Sequence, residues 1–301
     1  MNAGGAKPTL VPSSGGVRVA VHDLGGPDDP ATATLLFAHA TGFHGRVWEP
    51  VVAALTHRFR CLAIDFRGHG VSETPDGVSL AWSRMGDDAE AVLLSLPVAT
   101  SRRVHGVGHS MGGAALVLAA ARHPGSLRSL WLYEPIIFAP GLLAAADESN
   151  PMADGAARRR ASFGSYEEAL ANFAAKPPLN QLDHGALESY VRGGFAQEEN
   201  GTVTLRCAPA TEAAVFRAAG ESGAWEALAQ LGLPVAIVAG RREGAGPGAF
   251  GPAALTQLQH GTFIERPQLG HFGPLEDPDG AARDIAAWVE ATGSESREGL
   301  S

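Results

Sequence analysis

Val104-His105-Gly106-Val107-Gly108-His109-Ser110-Met111-Gly112-Gly113-Ala114-Ala115-Leu116-Val117-Leu118-Ala119-Ala120 decides the fold. Val104 to Val107 is a short apolar run suited to a buried strand, and from Gly113 onward strong helix formers dominate. Between them, Gly108-His109-Ser110-Met111-Gly112 sets a serine among small residues on a turn from strand to helix, the pattern of a nucleophile elbow. On so tight a turn, side chains two positions either side of the serine would collide with neighbouring backbone. Gly108 and Gly112 remove that collision and leave the Ser110 hydroxyl pointing out over the sheet. The helix that follows aims its first amides at the same spot, where charge developing on an oxygen would sit. Gly-x-Ser-x-Gly alone is common in loops; the strand–turn–helix setting gives it weight.

Outward from this turn, strands and helices alternate. Val17 to His22 alternates apolar and polar side chains, as a half-buried strand near a sheet edge does. Leu35 to Ala38, Leu62 to Ile64, Leu127 to Tyr133 and Pro234 to Ala239 are continuous apolar runs, expected of parallel strands covered on both faces, and Thr262 to Glu265 reads as a last strand. Helices are expected over Trp48 to Leu55, Gly86 to Leu96, Gly112 to Arg122, Pro252 to Gln259 and Asp279 to Val289. The class is therefore α/β with a mainly parallel sheet. From Ile136 to Leu231 the alternation breaks into helical stretches (Met152 to Phe163, Tyr166 to Ala175, Ala186 to Val191, Thr211 to Ala218) with no convincing buried strand. That segment reads as a helical cap inserted between two core strands, with Arg158-Arg159-Arg160 on a solvated helix face.

The 301 residues carry 23 Lys and Arg against 32 Asp and Glu, a net charge of −9 that argues against nucleic acid or an anionic membrane as partner. Cys61 and Cys207 form neither a metal spacing nor a disulfide framework. Met1 to Pro12 is flexible in character and lacks a leader's basic and apolar regions, and no apolar run is long enough to span a bilayer, so a soluble cytoplasmic protein is expected. Gly106-x-Gly108 fails as a dinucleotide fingerprint because Met stands at 111, and there is no phosphate loop or His-Glu-x-x-His zinc motif. No cofactor or metal is expected.

Four stretches, in order, give the chain its resemblance to the α/β-hydrolase superfamily. His39-Ala40-Thr41-Gly42-Phe43 resembles the oxyanion loop, with Ala40 in place of the usual Gly. Asp65-Phe66-Arg67-Gly68-His69-Gly70-Val71-Ser72 is similar to the stretch after the next strand. The elbow at Ser110 is the third, and Gly270-His271-Phe272 looks like the loop of the catalytic histidine. The resemblance implies a hydrolase core over 1–135 and 232–301 and a cap over 136–231. It also implies oxyanion donors at the amides of Met111 and Thr41.

Acyl transfer needs a base beside the serine, and His271 is the candidate, since imidazole titrates near neutrality and can take and return the proton. The other histidines read as packing or surface residues. For the acid, the strand ending at Ala239-Gly240 continues Arg241-Arg242-Glu243, with no Asp where most relatives carry one. Glu243 is one candidate. Glu134, in Leu132-Tyr133-Glu134-Pro135, is preferred, because some superfamily members, including many haloalkane dehalogenases, carry a Glu at this strand end. Phe43, Trp48, Phe138 and Phe272 are candidate pocket residues, and an apolar pocket under a lid suits a small hydrophobic molecule. The expectation is a serine hydrolase cleaving a carboxylic ester, lactone or thioester. C–C bond hydrolysis, haloperoxidase or lyase chemistry on the same fold, and a non-catalytic small-molecule receptor, stay open beside it.

Overall fold

The structure, a computed structural model, describes residues 7–97, 103–140, 150–220, 222–242 and 246–298. Its centre is a sheet of eight described strands: β1 (Thr9–Pro12), β2 (Arg18–Gly25), β3 (Thr34–Ala38), β4 (Arg60–Asp65), β5 (Val104–His109), β6 (Ser129–Tyr133), β10 (Val235–Ala239) and β11 (Gly261–Glu265). They lie in the order β1-β2-β4-β3-β5-β6-β10-β11. The first two strands pair antiparallel, and from β4 to β11 every pairing is parallel. Every residue of β3, β5, β6 and β10 is buried, which is why β3, β6 and β10 are near-continuous apolar runs rather than alternations, while β5 buries His105 and His109 among small residues.

Two apolar layers cover this sheet. On one face Met85, Ala89, Leu116, Ala224 and Leu228 join one core cluster, drawn from the helices Trp82–Ser95, Met111–Arg122 and Ala224–Leu228. On the other, Val51, Val52, Ile285 and Val289 come from Glu49–Ala53 and Pro278–Glu298. The helix expected from Gly86 begins earlier, at Trp82, whose indole donates to Val215 O at 2.8 Å. Gly86 lies inside the helix, where an added Cβ would stand 2.8 Å from Leu118 Cβ, so this glycine is a helix-contact residue and not a start signal. The N-terminal stretch that reads as flexible contributes β1, because Val11 is buried against the same core.

Between β6 and β10 lies the cap region, with helices Pro151–Ala157, Tyr166–Ala174, His184–Gly194 and Pro209–Arg217. Asn150, Ser165 and Asp183 cap the first three by accepting backbone N–H bonds. The reading without strands is corrected here: β7 (Ser162–Phe163), β8 (Phe195–Gln197) and β9 (Val203–Leu205) form a small antiparallel sheet. Strands of two or three residues are too short to show a period of two. The helix expected over Met152 to Phe163 ends at Ala157, so Arg158-Arg159-Arg160 is no helix face. Among the described residues no helix is long and apolar enough to cross a membrane, and no cluster of His, Cys, Asp or Glu could hold a metal ion.

Candidate active site

Ser110 sits between β5 and the helix Met111–Arg122 at φ 55°, ψ −119°, a backbone conformation that is strained for any residue but glycine. The strain is held by its neighbours: Ser110 N–H donates to Tyr133 O at 3.1 Å, while Ser110 O accepts from Gly113 N at 3.1 Å and Ile136 N at 3.3 Å. A Cβ on Gly112 would stand 2.4 Å from Ala38 O, and one on Gly108 would stand 2.6 Å from Gly113 Cα. Both glycines are therefore required by backbone contacts, as the sequence pattern implies.

Glu134 follows β6, the strand beside the elbow, and is the other non-glycine residue at positive φ, 40°, among those described. Its N–H donates to Val238 O at 2.8 Å, and its carboxylate accepts from Gly240 N at 2.8 Å through Oε1. Oε2 lies 2.6 Å from His271 Nδ1, and His271 Nε2 lies 3.3 Å from Ser110 Oγ. With Glu134 as acceptor, Nδ1 carries the proton and Nε2 presents its lone pair to the serine hydroxyl. Sequence reasoning thus singled out three side chains that the fold brings into one hydrogen-bonded line. Glu243, the alternative acid, lies outside the described residues.

The histidine loop is tied down at several points. Tyr133 OH donates to Gly270 O at 2.8 Å, Gly270 N–H donates to Glu276 Oε2 at 2.8 Å, and His109 Nε2 donates to His271 O at 2.8 Å. Burial pushes the Tyr133 phenol pKa up, so it stays a donor. Burial and the adjacent His271 hold His109 well below the usual imidazole value, so it stays neutral. A Cβ on Gly273 would stand 2.0 Å from Tyr133 OH, which is why the chain after Phe272 can pass there.

Opposite the elbow, the loop after β3 carries Thr41. Among the described residues neither Thr41 N–H nor Met111 N–H has a hydrogen-bond acceptor, which leaves both amides able to meet a ligand oxygen. The Thr41 hydroxyl is engaged with Met111 Sδ at 3.4 Å, so the two residues touch. Gly42, at φ 80°, donates its N–H to His69 Nε2 at 3.1 Å, and His39 Nε2 accepts from Phe66 N at 3.1 Å. Burial, with His69 nearby, drives the His39 pKa down to about 3, and burial lowers His69 as well. Both rings are neutral loop struts. Asp65 adds a third support, accepting from Gly45 N at 2.6 Å, Val71 N at 2.8 Å and His22 Nε2 at 2.9 Å.

A sequence profile described as "Alpha/beta hydrolase family" matches residues 35–284, from β3 into the first turns of the C-terminal helix. The chain belongs to this family. It is 31% identical over 235 residues to the pimeloyl-[acyl-carrier protein] methyl ester esterase of Methylococcus capsulatus, covering 77% of this chain and 84% of that one. Over 98 residues it is 35% identical to the 2-(acetamidomethylene)succinate hydrolase of Mesorhizobium japonicum, but that match spans only 32% of this chain and 33% of the relative. The crystal structure of E-2-(acetamidomethylene)succinate hydrolase superposes with a TM-score of 0.72 at 22% identity, covering 93% of this chain and 98% of that one. At that identity it is the α/β hydrolase fold that is shared.

Of the side chains expected to line a pocket in this α/β hydrolase, two adjoin the site. The ring centroid of Phe272 lies 5.4 Å from that of His271 and 5.3 Å from that of Phe43. Trp48 does not join them: it is fully buried in the core against Phe37, at 5.2 Å, and edge-on to His109. Phe138 packs on Phe250 at 5.2 Å. Sequence reasoning missed the polar side of the cap, where Arg159 turns inward to Glu212 and Tyr190. The signal for it lay in Arg158-Arg159-Arg160, obscured because a charge run is ordinarily solvated.

Proposed function

We propose that this α/β hydrolase is a serine esterase that cleaves a small carboxylic ester, lactone or thioester, with a largely apolar pocket, through an acyl-enzyme. The carrying observation is the line from Glu134 Oε2 to His271 Nδ1, 2.6 Å, and from His271 Nε2 to Ser110 Oγ, 3.3 Å. In this reading Ser110 Oγ attacks the substrate carbonyl carbon as its proton passes to His271 Nε2. The carbonyl oxygen takes the negative charge and accepts from the amides of Met111 and Thr41. Glu134 stabilises the imidazolium and fixes its tautomer. The tetrahedral adduct collapses, the C–O or C–S bond to the leaving group breaks, and Nε2 returns the proton to the departing oxygen or sulfur. Water then repeats the sequence on the acyl-enzyme, giving the free acid and restoring Ser110. The ester bond named for the Methylococcus relative, which matches most of both chains, favours the same bond here.

The test is intact mass after treatment with a fluorophosphonate, on wild type and on Ser110→Ala. One adduct on wild type alone is expected, together with a loss in kcat of about 10⁴-fold or more for the variant on any ester the wild type turns over. An unlabelled wild type of native fold, or a variant near wild-type turnover, removes Ser110 from the reaction.

A further inference from the structure

Arg159, Glu212 and Tyr190 form a polar cluster that the steps above do not use. Arg159 Nη1 lies 2.7 Å and 2.5 Å from the two Glu212 oxygens, and Nη2 donates to the Tyr190 hydroxyl. The Arg159 side chain is 21% exposed and that of Glu212 only 7%. A circuit of contacts places the cluster over the site. Glu212 abuts Gly42, where an added Cβ would stand 2.4 Å from Oε1. The Tyr190 ring lies 5.0 Å from Phe43, Phe43 lies 5.3 Å from Phe272, and Phe272 follows His271. The circuit therefore leaves the oxyanion loop at Gly42, crosses the cap through Glu212, Arg159 and Tyr190, and returns at Phe43.

A buried ion pair is a weak source of stability, because desolvating both ions offsets their attraction. The unspent donors point to another role. The Arg159 Nε–H, its second Nη2–H and the hydroxyl hydrogen of Tyr190 meet no acceptor among the described residues. With the Arg159 side chain 21% exposed, its donors are open to solvent, where a ligand oxygen can take the place of water. Glu212 cancels the formal charge of Arg159, so a carboxylate brought here would face an anion already in place, and an alkyl chain would leave the donors unpaired. The leaving group departs over His271, which must protonate it; the ion pair itself meets the site at Gly42, and only the Tyr190 ring leans back toward Phe43 and Phe272, so the donors are assigned to the acyl part.

We infer that Arg159, held by Glu212 and Tyr190, is a specificity-determining residue that binds an uncharged oxygen acceptor (keto, amide or hydroxyl) on the acyl chain of the substrate. This rests on the esterase reading and narrows its substrate class to acids bearing such a group.

Three methyl esters of matched length test it by pH-stat kinetics: methyl valerate, methyl levulinate and monomethyl glutarate. Wild type is expected to prefer levulinate over valerate by about tenfold in kcat/KM, the factor for one hydrogen bond to a charged donor. Glu212→Gln leaves Arg159 its unbalanced charge and is expected to raise the glutarate-to-levulinate ratio by about tenfold or more. Arg159→Met combined with Glu212→Leu removes both charges, avoids stranding either one, and is expected to bring levulinate and valerate to parity. Unchanged ratios in both variants, with activity retained, overturn the inference and leave the esterase reading standing. So does a wild type that takes the fluorophosphonate on Ser110 but hydrolyses none of the three. Failure to label Ser110 at all overturns the esterase reading itself.

Discussion

Gly112→Ala is the smallest change that should disable the site without touching any group proposed to react. The new Cβ would stand 2.4 Å from Ala38 O, 2.5 Å from Ala38 C and 2.7 Å from His39 O, all backbone atoms that cannot rotate away. An ordinary contact needs about 3.4 Å, so the helix start and the strand end must separate by roughly 1 Å. Those two segments carry Met111 and Thr41, whose amides are proposed to hold the oxyanion together. A misplacement of about 1 Å costs on the order of 10²-fold in rate, or about 2.7 kcal/mol of transition-state stabilisation. Overpacking the core should also lower folding stability by about 1–3 kcal/mol. Gly155→Ala is the control, since nothing lies within 4 Å of a Cβ there and the residue is in the helix Pro151–Ala157. It should match or slightly exceed wild-type stability with unchanged kinetics. Ester kinetics and urea melts on both variants decide the matter. A Gly112→Ala enzyme within twofold of wild type in kcat would show that helix–loop spacing does not set the donor geometry.

Glu134→Gln keeps the shape of the acid but not its charge, and kcat should fall about 10³–10⁴-fold with the fold intact by circular dichroism. A loss under tenfold would move the acid elsewhere, with Glu243 the first place to look. His105 and His39 make stability pH-dependent: burial holds their folded pKa values at about 4 and about 3, against 6.5 for the free group. The unfolded chain therefore binds more protons between these values, and stability should drop as pH falls from about 6.5 toward 4, by about 1.4 kcal/mol per pH unit per histidine. His105→Gln should flatten that slope by one such contribution in urea melts at about pH 6.5 and pH 5, and an unaltered slope would refute it.

The elbow was legible because backbone collisions there admit few residues: Gly108 and Gly112 are fixed by contacts of 2.6 Å and 2.4 Å, and such constraints mark the sequence locally. Glu134 was legible as a candidate because it departs from the usual pattern, an acid at the end of β6 where the end of β10 offers no Asp and only Glu243 beyond it. The core strands announced themselves by burial on both faces. What stayed hidden depends on partners distant in the chain. Arg159 reads as one of three solvated arginines until Glu212, 53 positions later, is seen against it. Trp48 reads as a pocket aromatic until Phe37 and His109 enclose it. The short strands β7 to β9 owe their existence to one another, and no single one carries a period long enough to notice.

Tyr133 joins three parts of the site in one residue. Its carbonyl holds Ser110 N–H, its chain neighbour is Glu134, and its hydroxyl holds Gly270, next to His271. A residue fully buried in a core strand thus touches the segments that carry all three groups, and the expectation is that their spacing loosens together with that strand. Heat should then abolish activity and protection of the β6 amides from hydrogen exchange in the same narrow interval, with no cooler range in which a folded chain has lost its competence.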